Sequence, residues 1–168
     1  MNIRPETPSD TSAIALVNKL AFGREEEAQL VEQIRNSQYY ISELTLVAEI
    51  NNSVVAHIMF SYINLVGQET FQVLGLAPLA VHPDFQKQGI GSALINVGLN
   101  KANELGETLI VVLGHPEFYS RFGFKASIDF GIKSPFPVPE DVFMVKPLAN
   151  YHPRYKGSVI YPPSFHNI

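Results

Sequence analysis

The spacing of apolar residues changes twice along the middle of the chain, and this change limits the sequence to a mixed α/β fold. Apolar and polar residues alternate over Leu44–Ile50, which predicts a strand with one buried face. Asn51-Asn52 tolerates the backbone of a tight turn, so Ser53–Val66 is predicted to return as the second strand of a hairpin. From Gly89 the period becomes that of a helix, and Thr108–Leu113 is an apolar run typical of a strand buried on both faces.

A third predicted strand, Phe71–Val81, follows a turn at Gly67–Thr70 and contains Pro78. Because proline has no N–H to donate to a strand ladder, we expect a bulge or a splayed edge at this point. Shorter strands are predicted around Asp141–Val145 and Ser158–Tyr161. Together these elements predict one α/β domain with a mixed sheet.

Three long helices are predicted from capping residues and from apolar residues at helical spacing. The polar run Thr7–Asp10 can begin the first helix and Gly23 ends it, while Glu25–Glu27 suits the positive first turn of the second. The third helix covers residues 89–106, and Gly98 inside it is expected to allow close packing on the sheet. The residues expected on the inner faces are Ile14, Val17, Leu20 and Ala21, then Leu30, Val31 and Ile34, then Leu94, Ile95, Gly98, Ala102 and Leu105, with one or two further helical turns at Pro116–Arg121.

Composition excludes several classes of function. The 168 residues, predicted to form one domain over residues 1–168, contain no cysteine and carry a formal charge of −4. The lack of cysteine excludes a disulfide framework, a cysteine zinc site and a cysteine nucleophile, and the five histidines have no metal-binding spacing, so no metal site is predicted. The slight acidity argues against a nucleic-acid partner. No apolar window is long enough for a membrane span and no signal peptide is recognised, so we expect a cytoplasmic protein.

The segment Val81–Ser92 leaves a strand, turns through glycines and enters a helix. The first N–H groups of a helix have no internal partner and lie at the positive end of its dipole. Glycines at 89 and 91 remove the side chains that would keep an anion from these amides, which predicts a cradle for phosphate or pyrophosphate. The segment matches neither the P-loop nor the three-glycine dinucleotide pattern. A glycine-rich turn without a ligand is the alternative that the glycines alone leave open.

With its flanking elements, the pattern Gln86-x-x-Gly89-x-Gly91 resembles the acetyl-CoA pyrophosphate loop of the GCN5-related N-acetyltransferases (GNAT). The segment Phe118–Phe124 is similar to the Tyr-x-x-x-Gly-Phe segment of the same family. The order of elements along nearly the whole chain also fits, and the tail Gly157–Phe165 resembles a bacterial branch of predicted acetyltransferases. The resemblance implies a mixed, mostly antiparallel sheet with helices on both faces and a splayed central strand pair, and residues 148–168 as a family-specific extension.

The resemblance also implies an activity, the direct transfer of an acetyl group from acetyl-CoA, as co-substrate, to an amine of a small molecule, a peptide or a protein. Tyr119 would protonate the leaving thiolate, and the bulge at Pro78 would make room for the pantetheine arm. The exposed strand edges of such a fold often pair, which would give a homodimer. The implied cofactor-binding residues are Leu79, Ala80 and Val81 for the pantetheine arm, and Gln86, Lys87, Gln88, Gly89, Ile90, Gly91 and Ser92 for the pyrophosphate.

Two departures from the family pattern leave the general base unassigned. Many members carry a glutamate on the strand before the loop, where this chain has Leu74–Ala77, and many carry an asparagine where this chain has Leu113–His115. The candidate bases are His57 and His115, by their titration range, and Glu25 or Glu26 from the loop between the first two helices. Two structural alternatives stay open: His57 as a hydrogen-bonded sheet residue and Tyr119 as a packed aromatic. The missing glutamate also keeps a non-catalytic acyl-CoA-binding sensor as an alternative function, and the acceptor pocket is expected to involve residues 22–27, 57–61 and 130–139.

Overall fold

Residues 1–165, the part of the chain that the computed structural model describes, form nine strands and four α-helices. The strands are β1 (Asn2–Pro5), β2 (Tyr40–Ile50), β3 (Ser53–Val66), β4 (Thr70–Val81), β5 (Leu109–Leu113), β6 (Lys125–Ala126), β7 (Ile132–Lys133), β8 (Phe143–Pro147) and β9 (Gly157–Ile160). The helices are α1 (Thr11–Phe22), α2 (Glu26–Arg35), α3 (Ile90–Glu104) and α4 (Pro116–Tyr119).

The strands form one sheet in the order β1-β2-β3-β4-β5-β8-β6, and β9 pairs with both β3 and β7. All pairs are antiparallel except β4–β5 and β7–β9. The predicted mixed, mostly antiparallel sheet is therefore confirmed. Because β9 pairs with β3, the predicted extension over residues 148–168 contributes to the sheet as far as the structure describes it, and its boundary stays a prediction.

The predicted hairpin is confirmed, and its turn has a local cause. Asn51 and Asn52 have φ angles of 52° and 63°, in the left-handed region that asparagine tolerates better than most residues. The turn joins β2 to β3 antiparallel, with Ile50 opposite Ser53. β2 starts earlier than predicted, at Tyr40, because pairing with Ser61 extends it beyond the alternating run.

The bulge expected at Pro78 is present in β4. Ile58 of β3 pairs with Leu79 and Phe60 pairs with Leu76, so one residue of β3 faces two of β4. On its other side β4 pairs with β5 only through Leu74 and Gly75. Beyond Gly75 the two strands diverge, and this is the splayed central pair that the sequence resemblance implies.

Helices cover both faces of the sheet. α1 and α2 pack on one face, and α3 packs on the other. The prediction that Leu20 and Leu105 are buried is wrong, because Leu20 is 43% exposed and Leu105 is 40% exposed. The buried stripe of α1 passes through Asn18 instead of Leu20, and Leu105 is the cap residue after the last turn of α3. The main buried residues are Ile14, Leu30, Val31, Ile34, Val47 and Met59 on the first face and Ile58, Phe60, Leu74, Leu94, Ile95 and Ala102 on the second.

Gly98 brings α3 into direct contact with the sheet, as expected. A Cβ atom at this position would lie 2.4 Å and 2.7 Å from two ring carbons of Phe60. Replacing Gly98 by alanine improves helix propensity by about 1 kcal/mol, but the overlap forces the ring or the helix to move. We therefore expect Gly98→Ala to lower the free energy of unfolding by about 1–3 kcal/mol, measured by urea denaturation. In a Phe60→Leu background, Gly98→Ala should lower the free energy of unfolding by less than it does in the native protein. If Gly98→Ala left the free energy of unfolding of the native protein unchanged, it would contradict the close packing.

The two-residue strands β6 and β7 were not predicted, because a ladder of two residues leaves no periodicity in the sequence. The later strands β8 and β9 lie within two residues of their predicted positions. Within residues 1–165, no helix has the length and apolar character needed to cross a bilayer.

Candidate active site

The loop between β4 and α3 is held in an unusual backbone conformation. Lys87 and Gly89 have φ angles of 63° and 82°, in the left-handed region. For lysine this conformation is uncommon, and such residues concentrate at functional loops. The side-chain Nε2 of Gln86 donates a hydrogen bond to the carbonyl of Val81 at 3.0 Å, which ties the loop back to the end of β4.

The backbone amides of this loop have no hydrogen-bond partner in the described part of the chain. Among residues 1–165, none of the seven N–H groups from Gln86 to Ser92 donates a hydrogen bond, and the next amide, Ala93, donates to the carbonyl of Gly89 at 3.0 Å. Three of the seven amides belong to the first turn of the 15-residue helix α3, where the helix dipole places partial positive charge. Unpaired amides at such a site can bind an anion. The amides that the predicted cradle requires are therefore available to a ligand.

A cavity of about 510 Å³ lies directly over this loop. Its lining combines the loop, the end of β4, the end of α1 and the segment that includes α4. A Cβ on Gly89 would meet nothing within 4 Å, and one on Gly91 would lie 3.7 Å from Val81. The lining residues are Ala21, Phe22, Leu79, Val81, Phe85, Gln86, Lys87, Gly89, Ile90, Gly91, Ser92, Phe118 and Arg121.

The predicted pantetheine strand forms an open edge next to this cavity. Leu79, Ala80 and Val81 pair with β3 on one side. On the other side, none of the described residues pairs with them, because the ladder to β5 ends at Gly75. Leu79 and Val81 line the cavity, while Ala80 points to the opposite face and is buried.

Tyr119 is the last residue of α4 and is tightly packed. Its side chain is 9% exposed and makes edge-to-face contacts with Phe118 and Phe124, at centroid distances of 5.0 Å and 5.6 Å. A Cβ on Gly114 would lie 2.4 Å from its Cε2 atom, so glycine at this position is what allows the ring to approach the backbone. Burial raises the pKa of Tyr119 to about 12, so its hydroxyl is protonated at neutral pH. Within residues 1–165 that hydroxyl makes no hydrogen bond; Tyr119 does not line the cavity, although Phe118 does.

His57 lies in the interior, away from the cavity. It is fully buried against the α1 face, and its Nδ1 is 3.4 Å from the Nδ2 of Asn18. Burial lowers its pKa to about 4. The neighbouring residues up to Ser61 are buried as well, so the expectation that residues 57–61 line an open acceptor pocket is wrong. The geometry favours the alternative of a hydrogen-bonded sheet residue.

The lowered pKa of His57 makes stability depend on pH. The unfolded chain takes up a proton on this histidine as the pH falls below about 6.5, whereas the folded protein resists protonation until about 4. The free energy of unfolding should therefore fall between pH 6.5 and 4, with His57 contributing about 3 kcal/mol of this loss. We expect His57→Gln to show a flatter pH dependence in urea denaturation over this range. If the free energy of unfolding of the native protein and of His57→Gln changed equally with pH, the lowered pKa of His57 would be contradicted.

The other candidate bases differ in their surroundings. His115 is exposed at the start of α4, and its carbonyl accepts hydrogen bonds from the amides of Phe118 and Tyr119. The side chain of Glu25 is 67% exposed, and its Oε1 lies 3.4 Å from the Nζ of Lys19. None of these candidates lines the cavity.

Glu27 is a buried carboxylate near the start of α2. It is 7% exposed and is bound by Arg24, whose Nε lies 2.9 Å from its Oε1. The sequence places Glu25–Glu27 in the first turn of the second helix, and in the structure Glu27 shares the buried stripe of α2 with Leu30 and Val31. The i, i+3, i+4 spacing to these apolar residues could have indicated this position.

Comparison with known proteins places the chain in a family. Residues 41–126 match the model of an acetyltransferase (GNAT) domain. The N-acetyltransferase YhbS of Escherichia coli K12 is 34% identical over 150 residues, which cover 89% of this chain and 89% of YhbS. The N-acetyltransferase YjhQ of the same strain is 36% identical over 135 residues, which cover 79% of this chain and 75% of YjhQ.

Two solved structures share the architecture described above. YhbS from E. coli, in complex with CoA, has a TM-score of 0.89 and 33% identity and covers 98% of this chain and 91% of its own. A GNAT family acetyltransferase from Brucella melitensis, in complex with acetyl-CoA, has a TM-score of 0.80 and 31% identity, with coverages of 98% and 97%. Given the family match and relatives of this identity along most of their length, the chain belongs to the GNAT family of N-acetyltransferases.

Proposed function

We propose that this enzyme takes an acetyl group from acetyl-CoA and transfers it directly to an amine of a small molecule or of a peptide or protein. The observation that carries the proposal is the set of seven amides from Gln86 to Ser92 that have no partner within residues 1–165, in a loop that lines a cavity. A diphosphate offers several anionic oxygens to such amides, and the start of α3 adds favourable dipole charge. The CoA and acetyl-CoA complexes of the two similar enzymes support the same ligand here.

The open edge of β4 gives the pantetheine arm a place to bind. Backbone groups of Leu79, Ala80 and Val81 on the side of β5 would pair with the amide groups of the arm as a further strand would. This pairing would direct the thioester into the gap that opens beyond Gly75, where β4 and β5 diverge. The bulge at Pro78 reorients the strand at this point.

The reaction requires one bond to form and one to break. The amine nitrogen attacks the thioester carbonyl carbon, the carbon–sulfur bond breaks, and the proton that the amine loses ends on the sulfur of CoA. We assign Tyr119 to the sulfur side: its protonated hydroxyl would stabilise the developing thiolate and deliver a proton. With a pKa of about 12, Tyr119 does not remain as phenolate after it has given its proton to the sulfur. The proton that the amine loses therefore has to return to the Tyr119 oxygen.

A non-catalytic acyl-CoA sensor is the second candidate function. One observation favours it: Leu74–Ala77, on the strand before the loop, offers no carboxylate to accept the amine proton. An enzyme without this base would depend on another group or on amines that reach the site already deprotonated.

The proposal is tested by incubating the protein with acetyl-CoA and a panel of small amines and peptides while free thiol is measured. Amine-dependent thiol release, together with saturable CoA binding by calorimetry, is the expected result. Saturable binding without thiol release across the panel, and unchanged behaviour of Tyr119→Phe, would favour the sensor. Absence of both binding and release would overturn the donor assignment itself.

The acceptor that the family implies is an amine. A cytoplasmic location and a homodimer stay predictions from the sequence. Size-exclusion chromatography with light scattering tests the dimer directly.

A further inference from the structure

The cavity over the loop is lined by cations although the chain as a whole is acidic. Although the chain carries a net charge of −4, the only charged residues that line this cavity among the described residues are the two cations Lys87 and Arg121. Neither forms an ion pair within residues 1–165. Two cations that have no ion-pair partner in the described part of the chain, placed in one cavity of an acidic protein, indicate an anionic ligand.

The guanidinium group of Arg121 packs over two aromatic rings. Its guanidinium carbon lies 4.9 Å from the ring centre of Phe118 and 5.6 Å from that of Phe122, and its Nε lies 3.4 Å from the carbonyl of Phe118. The two terminal nitrogens donate no hydrogen bond within the described residues. Aromatic packing thus limits the side-chain freedom that binding would cost, while the fork of the guanidinium stays available for a bidentate contact with an anion.

Arg121 and the loop also come from separate parts of the chain. Lys87 belongs to the β4–α3 loop, whereas Arg121 follows α4 on another wall of the cavity. The seven loop amides offer the diphosphate its donors, so the two cations are available to a second anionic group. CoA carries one such group, the phosphate monoester on the 3′ oxygen of its ribose, and dephospho-CoA lacks it.

We propose that Arg121, with Lys87, binds the 3′-phosphate of CoA and makes the enzyme select CoA over dephospho-CoA. This inference rests on the proposed donor function. A dianionic monoester is matched better by the planar arginine fork than by a single ammonium group, so Arg121 supplies most of the selectivity and Lys87 the smaller part.

The test is a calorimetric comparison of CoA and 3′-dephospho-CoA at low ionic strength. We expect the native protein to bind CoA about tenfold more tightly than dephospho-CoA, since charge-assisted hydrogen bonds to the monoester are lost with it. Arg121→Gln should weaken CoA binding about tenfold and leave dephospho-CoA binding within about twofold. Lys87→Gln should show the same pattern with a smaller change.

Arg154→Gln is the matched control. Arg154 is likewise placed over two aromatic rings, with its guanidinium carbon 5.9 Å and 5.3 Å from the ring centres of Phe71 and Tyr155, but it does not line this cavity. Its removal should change neither affinity.

The outcomes separate this proposal from the donor function. Equal affinities of the native protein for CoA and dephospho-CoA would overturn the 3′-phosphate assignment and leave the donor function intact. Equal weakening of both ligands by Arg121→Gln would also overturn it, because the arginine would then contact the diphosphate or the adenine. Binding of neither ligand by the native protein would overturn the donor function as well.

Discussion

Replacing Gly89 by aspartate should abolish CoA binding. A Cβ at this position points into open space and Gly89 lines the cavity, so the new carboxylate would lie where the diphosphate is proposed to bind. Two like charges a few ångströms apart in a partly enclosed site repel by several kcal/mol, so we expect an affinity loss of more than about a hundredfold. A thermal-shift titration with CoA, followed by calorimetry, measures the effect.

Gly89→Asn is the control that separates charge from backbone strain. Asparagine has nearly the same shape as aspartate, and both tolerate the left-handed backbone that Gly89 adopts at φ 82° better than other residues do. We expect the asparagine variant to keep binding within about tenfold of the native protein. Gly91→Asp repeats the test at a position without positive φ, where a Cβ lies at ordinary contact distance from Val81 and Leu79. Normal CoA binding by both aspartate variants would remove the basis for the proposed function.

Replacing Tyr119 by phenylalanine should lower kcat by about a hundredfold or more without changing the affinity for CoA. The substitution keeps the ring contacts with Phe118 and Phe124 and removes only the hydroxyl, which makes no hydrogen bond within the described residues. Stability should therefore change little, while the leaving thiolate loses its proton donor, an effect typically worth a factor of 10²–10⁴. Steady-state kinetics with a responsive amine, together with CoA calorimetry, measures both quantities.

A second variant moves the hydroxyl without removing it. Gly114→Ala would place a methyl group 2.4 Å from Cε2 of Tyr119, so the ring must shift. We expect kcat to fall in this variant as well. In the double variant Gly114→Ala/Tyr119→Phe, kcat should be little lower than in Tyr119→Phe alone. Tyr151→Phe, at a tyrosine outside the cavity lining, serves as the control and should leave kcat unchanged. A Tyr119→Phe enzyme with native kcat would mean that Tyr119 is only a packed aromatic.

Local features of the sequence predicted the elements around the site. The turn at Asn51-Asn52 and the strand Ser53–Val66 are confirmed because alternation and turn propensity act over a few neighbouring residues. The bulge at Pro78 is confirmed for the same kind of reason, the missing proline N–H. The close approach at Gly98 also follows from a local property, the absence of a side chain on the inner face of a helix.

The sequence was less informative about which side chains are exposed. Leu20 is apolar but exposed, while Asn18, one turn after Ile14, is buried and contacts His57. Glu27 is charged but buried, because Arg24 pairs with it. The burial of Asn18 depends on a partner in another element, which a periodic pattern does not specify, whereas Glu27 follows the apolar spacing of α2.

By itself the sequence determined the α/β order, the hairpin, the kinked strand and the glycine turn at the start of α3, because each depends on backbone propensities of residues close in the chain. Only the tertiary structure decided that the loop amides find no partner among residues 1–165, that β4 separates from β5 after Gly75, and that Arg121 and Lys87 line one cavity. These properties depend on distances between segments separated by tens of residues. Such distances are set when the whole sheet and its helices pack together, and no local stretch of the sequence contains them.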